Sequence, residues 1–259
     1  MARAGRAARG QPAKPRPDER TAAPRSGPRL RICDRDEFSE AKVAEHHYQP
    51  PYFRLMERLN LAGSDAAPRV MRPRRLGLED LSESGADHLV DVREPLAYAA
   101  GHMQGAVCLP VGMIPAFAGW FISEGDTIAL IASEEDELAQ AMAHLVRIGL
   151  DNIVGGYVGV IPAAAQGKAM QSIAMIDTEE VARRLAEDSE DWTLLDVRAL
   201  DERQQGSIDE SEHVYVGELN TRWKELDRDR HYTLMCASGM RASVAAGWLA
   251  SQGFKHLDV

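Results

Sequence analysis

A repeat constrains this chain more than any other feature of its sequence. "HLVDVREPLAYAAGHMQGA" (88–106) lines up with "TLLDVRALDERQQGSIDES" (193–211), so that Asp91-Val92-Arg93 falls on Asp196-Val197-Arg198 and Gly101 on Gly206. Further on, "ALIASEEDELAQAMAHLVRIGLDNIV" (129–154) matches "TLMCASGMRASVAAGWLASQGFKHLD" (233–258) without a gap, with Gly149 on Gly253. The two offsets, 105 and 104, differ by one residue over a whole domain. Self-similarity at that period means two copies of one folding unit, so one set of rules must serve both.

Each copy alternates strand and helix signals. His88–Val92, Ala106–Val111 and Thr127–Ala132 are short apolar runs suited to buried parallel strands. Leu138, Ala141, Met142, Leu145 and Val146 recur at helical spacing, and Gly149 is a stop. In the second copy Val244, Ala245, Trp248 and Leu249 make the equivalent stripe and Gly253 the stop. The segment between the copies carries a helix start at Thr178. The expected class is α/β, with two tandem domains that are each a mostly parallel sheet flanked by helices. The expected boundaries are a basic arm over 1–35, a linker over 36–69, a first domain over 70–170 and a second over 171–259. Copy one continues past Val154, whereas copy two stops at Val259, so the second domain is expected to lack its last helix and to be less stable for it.

Charge is unevenly spread. Residues 1–31 hold nine Arg or Lys against Asp18 and Glu19, a sum of +7, so the rest of the chain carries −17 of the total −10. An acidic body argues against nucleic acid as a partner. The arm is rich in Ala, Arg, Pro and Gly, has no apolar stretch, and is expected to be disordered and not a secretory signal. No apolar run is long enough to span a membrane, so no membrane partner is expected. Three cysteines (Cys33, Cys108 and Cys236) make a disulfide framework improbable on numbers alone and point to a reducing, cytoplasmic setting.

One of those cysteines is placed for chemistry. In "YTLMCASGMRASVAAGWL" (232–249) an apolar strand stops at Cys236, a small loop of Ala237, Ser238, Gly239 and Met240 follows, and Arg241 opens a helix. Sites in open α/β sheets lie beyond the carboxyl ends of the strands. Loop N–H groups and the first helical turn then converge on the sulfur, an environment that favours a nucleophilic thiolate, and Arg241 adds a full positive charge. Gly239 lets the backbone bend, and Ala237 and Ser238 keep the rim open. Cys108, inside "GAVCLPV", reads as a core strand residue, and Cys33 as a spare thiol or, less simply, a resolving one.

The Cys-x-x-Gly-x-Arg loop resembles the active-site loop of the rhodanese family, and "DVREPLAYAAGHMQGAVCLPV" resembles its Asp-x-Arg and Gly-His-x-x-Gly-Ala signatures. The resemblance covers about 70–259 as two tandem rhodanese-like domains. It implies a sulfurtransferase without cofactor or metal. Cys236 would take the outer sulfur of thiosulfate or a small persulfide and pass it to a thiol or cyanide. Arg241 would bind the anionic donor, and the amides from Ala237 through Arg241, including those of Ser238, Gly239 and Met240, would cradle the persulfide. Asp196 and Arg198 are supporting residues, either an internal ion pair or a substrate contact. A Cys–Arg cradle also serves phosphatases and arsenate reductases, but four residues between Cys236 and Arg241 make a smaller cradle than the five of tyrosine phosphatases. A non-catalytic interaction module is the other alternative.

Copy one is altered at the decisive positions: Ala132 stands for Cys236 and Glu137 for Arg241. It is expected to be catalytically silent, serving as a scaffold, a docking surface or a lid. The segment "HHYQPPYFRLMERLNLAG" (46–63) resembles the stretch that follows the catalytic core of metallo-β-lactamase-fold persulfide dioxygenases fused to rhodanese domains. That resemblance implies a dioxygenase partner domain. The chain has no His-x-His-x-Asp-His motif, so no metal is assigned to it.

Overall fold

The computed structural model describes residues 34–44, 47–63, 72–187 and 189–259. The basic arm up to residue 33, Cys33 and His46 lie outside the described residues. Packing divides the chain into Met1–Tyr48 and Gln49–Val259. In the first unit helix α1 (Arg35–Val43) is capped by Asp34, whose carboxylate accepts from the amides of Asp36 and Glu37. Such a cap satisfies two of the four amides that a helix start leaves without an internal partner.

The second unit opens with α2 (Tyr52–Ala62) and α3 (Leu78–Glu83). The first repeat then runs β1 (His88–Asp91), α4 (Pro95–Ala100), β2 (His102–Met103), β3 (Val107–Cys108), α5 (Ile114–Phe121), β4 (Ile128–Ala132), α6 (Glu135–Arg147), β5 (Ile153–Val158) and α7 (Ile161–Ala165). A two-residue strand, β6 (Met170–Gln171), pairs antiparallel with β2 and ends the repeat. The second repeat runs α8 (Thr178–Glu187), β7 (Trp192–Asp196), α9 (Leu200–Gln204), β8 (Glu212–His213), α10 (Leu219–Arg222), β9 (His231–Met235), α11 (Met240–Ser251) and β10 (Leu257–Asp258). No helix among the described residues is long and apolar enough to cross a membrane.

The two sheets are the same sheet built twice. Their orders, β3-β1-β4-β5 and β8-β7-β9-β10, correspond strand for strand, and every pairing within them is parallel. In each, the chain entering the repeat adds one more parallel bridge at the far edge, Arg75 to Gly156 and Ala174 to Asp258. β4, buried at all five residues, is the centre of the first core, and its counterpart β9 buries Tyr232, Thr233 and Leu234. The run expected as a strand over 106–111 is a strand only at Val107–Cys108. Pro110 ends it by removing a ladder donor, and a 3₁₀ turn follows at Val111–Met113.

Half of the expected linker is part of the first repeat's packing. Tyr52 donates from its hydroxyl to Pro115 O at 3.1 Å, and its ring lies so close to Gly119 that a Cβ there would come within 2.2 Å of it. Leu55 is buried against Gly149, the left-handed glycine (φ +78°) that ends α6.

The repeats meet through α11. Eight consecutive residues of this helix, Ala242 to Leu249, are buried, so it has no solvent face. It packs on its own strand β9 and on β3 and α4 of the first repeat. At Gly247 a Cβ would stand 2.5 Å from Cys108 Cβ and 2.6 Å from Cys108 N, so the helix touches the edge strand β3 backbone to backbone. Trp248 crosses into the first repeat, 4.8 Å from the Phe121 ring and 6.5 Å from His88. A second contact forms where Trp120 meets Tyr215 edge to face and accepts a hydrogen bond at its carbonyl from Asn220.

Candidate active site

Cys236 follows the last residue of β9, at the carboxyl edge of the second sheet, and its side chain is half-buried. Beyond it Ala237 and Ser238 are exposed, and Gly239 and Met240 are half-buried. Gly239 adopts φ +81°, ψ −21°, a left-handed conformation costly for any residue with a Cβ, and it is the N-cap of α11. Its carbonyl takes both the amide and the hydroxyl of Ser243, which ties the loop to the first turn of the helix. The amides of Ala237, Ser238 and Gly239 make no hydrogen bond to another described residue. Three successive backbone donors of the loop that follows the sulfur are therefore uncommitted among the described residues, and backbone nests of this kind can collect negative charge.

Arg241 is already paired with a carboxylate. Both its terminal nitrogens donate to the carboxylate of Glu202, from Nη2 to Oε1 at 2.8 Å and from Nη1 to Oε2. That carboxylate and, less strongly, the Cys236 sulfur hold the guanidinium above its ordinary range. Reciprocally, Arg241 holds the Glu202 carboxyl below its ordinary range, against burial. Glu202 also accepts from the Ala199 amide at 3.2 Å, so the first turn of α9 fixes it from the other side.

The Asp-x-Arg pairs form one internal clamp in both repeats. Arg198 wraps back on Asp196 through Nε and Nη2 and extends to Gly206 O at 2.9 Å; Arg93 does the same with Asp91 and Gly101 O at 2.8 Å. Each clamp fastens a strand end to the turn that follows the next short helix. Burial alone would push the Asp196 carboxyl up, but hydrogen bonds from Arg198 outweigh it and hold it below its ordinary range. His213 adds a contact of 2.8 Å from its ring to Arg198 O. Since β7 lies beside β9, with Asp196 opposite Met235, this clamp adjoins the residue before Cys236.

Copy one carries a different arrangement on the same frame. Ala132 ends β4 with no sulfur, and Glu137 turns its carboxylate back onto the Ser133 amide at 2.7 Å. Ser133 is the counterpart of Ala237, so an amide left open in one repeat is covered by an anionic side chain in the other. Helix α6 also begins one position earlier than α11 relative to the repeat, after an extended N-cap at Glu134 (φ −148°). Cys108 is fully buried; burial, with Asp91 adding to it, pushes its thiol well above the ordinary range, which removes it from chemistry.

Glu202 escapes a motif-based reading of the sequence because a glutamate in a short helical segment is ordinary surface chemistry. The signal that could have found it is the repeat itself. At the 105 offset Glu202 falls on Ala97, so the pair of Glu202 and Arg241 is replaced as a unit by Ala97 and Glu137 where the cysteine is also missing.

The family described as rhodanese-like domain matches the chain twice, over residues 77–162 and 177–258. The Bacillus subtilis (strain 168) protein YtwF is 33% identical over 87 residues, 34% of this chain and 84% of that protein. A sulfurtransferase of Allochromatium vinosum is 35% identical over 79 residues, 30% of this chain and 73% of the relative. Among solved structures, thiosulfate sulfurtransferase from Pseudomonas aeruginosa aligns with 72% of this chain and 42% of its own, at 17% identity and a TM-score of 0.34.

Proposed function

The chain belongs to the rhodanese-like domain family, and from that premise we propose that its second repeat is a sulfurtransferase centred on Cys236. The observation that carries this reading is the half-buried sulfur at the mouth of a loop whose amides of Ala237, Ser238 and Gly239 are uncommitted. The sulfurtransferase name borne by a relative from Allochromatium vinosum supports it.

The reaction runs in two balanced halves. The Cys236 thiolate attacks the outer sulfur of a donor. A new sulfur–sulfur bond forms, the donor's own sulfur–sulfur bond breaks, and the remainder leaves with the electron pair. Cys236 then carries one extra sulfur. An acceptor thiolate or cyanide attacks that terminal sulfur, and the Cys236 thiolate is released. The loop amides face the terminal sulfur while it is negative, and the clamp of Asp196 and Arg198 keeps the strand ends in place behind the loop.

Intact-protein mass spectrometry after exposure to thiosulfate or an organic persulfide tests the proposal. The chain should gain the mass of one sulfur, and Cys236→Ser should not. A gain that persists in Cys236→Ser, or turnover of an aryl phosphate with no sulfur gained, would sink it.

A further inference from the structure

Arg241 is the residue that a Cys-x-x-Gly-x-Arg loop offers to an anionic donor, yet here it is already matched by a carboxylate. Glu202 takes both terminal nitrogens, so a guanidinium and one carboxylate cancel beside the sulfur. With Cys236 in its reactive thiolate form, the local balance is negative. A dianion arriving at this loop meets a guanidinium whose charge is already matched and whose two terminal nitrogens each donate to Glu202. To gain both terminal nitrogens it would have to break two charge-assisted hydrogen bonds to Glu202. The amides of Ala237, Ser238 and Gly239, by contrast, are open and need displace nothing.

The two repeats give an independent reason to assign Glu202 to the site rather than to the fold. The first repeat builds the same strand order, the same Asp-x-Arg clamp and the same helix with Ala97 in place of Glu202. The carboxylate is thus dispensable for the architecture and present beside the cysteine.

We infer that Glu202 is a specificity-determining residue that selects against dianionic donors such as thiosulfate and in favour of organic persulfides, by keeping Arg241 neutralised. This rests on the sulfurtransferase reading of Cys236. With a persulfide R–S–SH, the Cys236 thiolate attacks the outer sulfur, the donor's sulfur–sulfur bond breaks, and R–S⁻ leaves with the electron pair and takes a proton from water. Cys236 holds –S–SH, and no oxidant or reductant is required. The reacting end of such a donor brings at most one negative charge, against two on thiosulfate, and can be met by the loop amides alone.

The test is a comparison of two donors within each variant of the full chain. Loading of Cys236 is followed by mass spectrometry with thiosulfate and with glutathione persulfide, for the wild type, Glu202→Gln and Glu202→Asp. In the wild type the persulfide should be the better donor. In Glu202→Gln the ratio of thiosulfate to persulfide kcat/KM should rise on the order of tenfold or more, as Arg241 becomes available to the dianion. Glu202→Asp, which keeps the charge, should stay near the wild-type ratio. Because the readout is a ratio, a general loss of folded protein cancels. A wild type that uses thiosulfate as well as the persulfide, or a ratio that Glu202→Gln leaves unchanged, overturns the inference while leaving the sulfurtransferase reading intact. Failure of both donors to load wild-type Cys236 sinks that reading, and this inference with it.

Discussion

The loops after β4 and β9 occupy the same place in two copies of one sheet, and they have opposite electrostatic logic. After β9 the chain turns through a left-handed glycine, and the three amides that follow Cys236 have no partner among the described residues. After β4 the helix starts one position sooner, and Glu137 bends back to cover the Ser133 amide. In one repeat the loop amides have no partner among the described residues, and in the other a side-chain carboxylate already takes one of them. Loss of the cysteine, inversion of the charge at the arginine position and loss of Glu202 therefore fall together in one repeat. The helices behind the loops differ as well. α6 is amphipathic and buries Leu138, Ala141 and Leu145, whereas α11 buries eight residues in succession because the first repeat covers its second face. The repeat without the cysteine is thus the wall against which the cysteine's helix is packed.

The largest effect should come from breaking that wall. Trp248→Ala removes the side chain that crosses into the first repeat and should cost about 3–5 kcal/mol of unfolding free energy. Its counterpart His144→Ala on α6, which is half-buried, should cost at most about 1 kcal/mol. Denaturant midpoints compare the two, and equal costs would mean that the helices are not differently enclosed after all.

Next in size are the clamps. Asp91 and Asp196 are both fully buried, so replacing either by Asn leaves an arginine poorly matched and should cost about 3 kcal/mol. The Arg93 side chain is the less exposed, at 9% against 16% for Arg198, so Asp91→Asn should be the more damaging of the two. Because the folded Asp196 carboxyl lies below its ordinary range, its contribution is complete above the unfolded value. It is lost as the pH falls below about 4 and through the folded value. Asp196→Asn should therefore flatten the acid limb of the stability curve, and an unchanged limb would assign that lability elsewhere.

The smallest effect concerns the loop itself. Gly239→Ala forces a Cβ into φ +81° and should cost about 1–2 kcal/mol, with Cys236 loading slowed as the amides turn away. At the corresponding position copy one carries Glu135, so a Glu135→Ala change should be nearly neutral. A cost there equal to that of Gly239→Ala would show that the left-handed turn is not what separates the loops.

Periodicity was enough to read the helices at 135–147 and 240–251 and the strands that precede them, because burial of one face leaves a regular mark on sequence. Glycines at 149 and 253 marked both helix ends, and both are left-handed. The strand over 106–111 was overextended, since an apolar run does not reveal where a proline removes the ladder. The docking of α2 on Gly119 and Gly149 was not legible, because small residues record a close approach without naming what approaches. The partner of Arg241 was also hidden, for Glu202 is 39 residues away along the chain.

By itself, then, the amino-acid sequence determined two repeats, their alternating elements, the one loop of the pair that carries a cysteine, and the charge inversion in the other. These are local patterns, written by side-chain spacing and backbone preference. Only the tertiary structure decided that the first repeat encloses α11 and that a carboxylate from α9 occupies the arginine. Such contacts join residues far apart along the chain, and complementary charge or shape at one end does not specify which distant residue will supply the other.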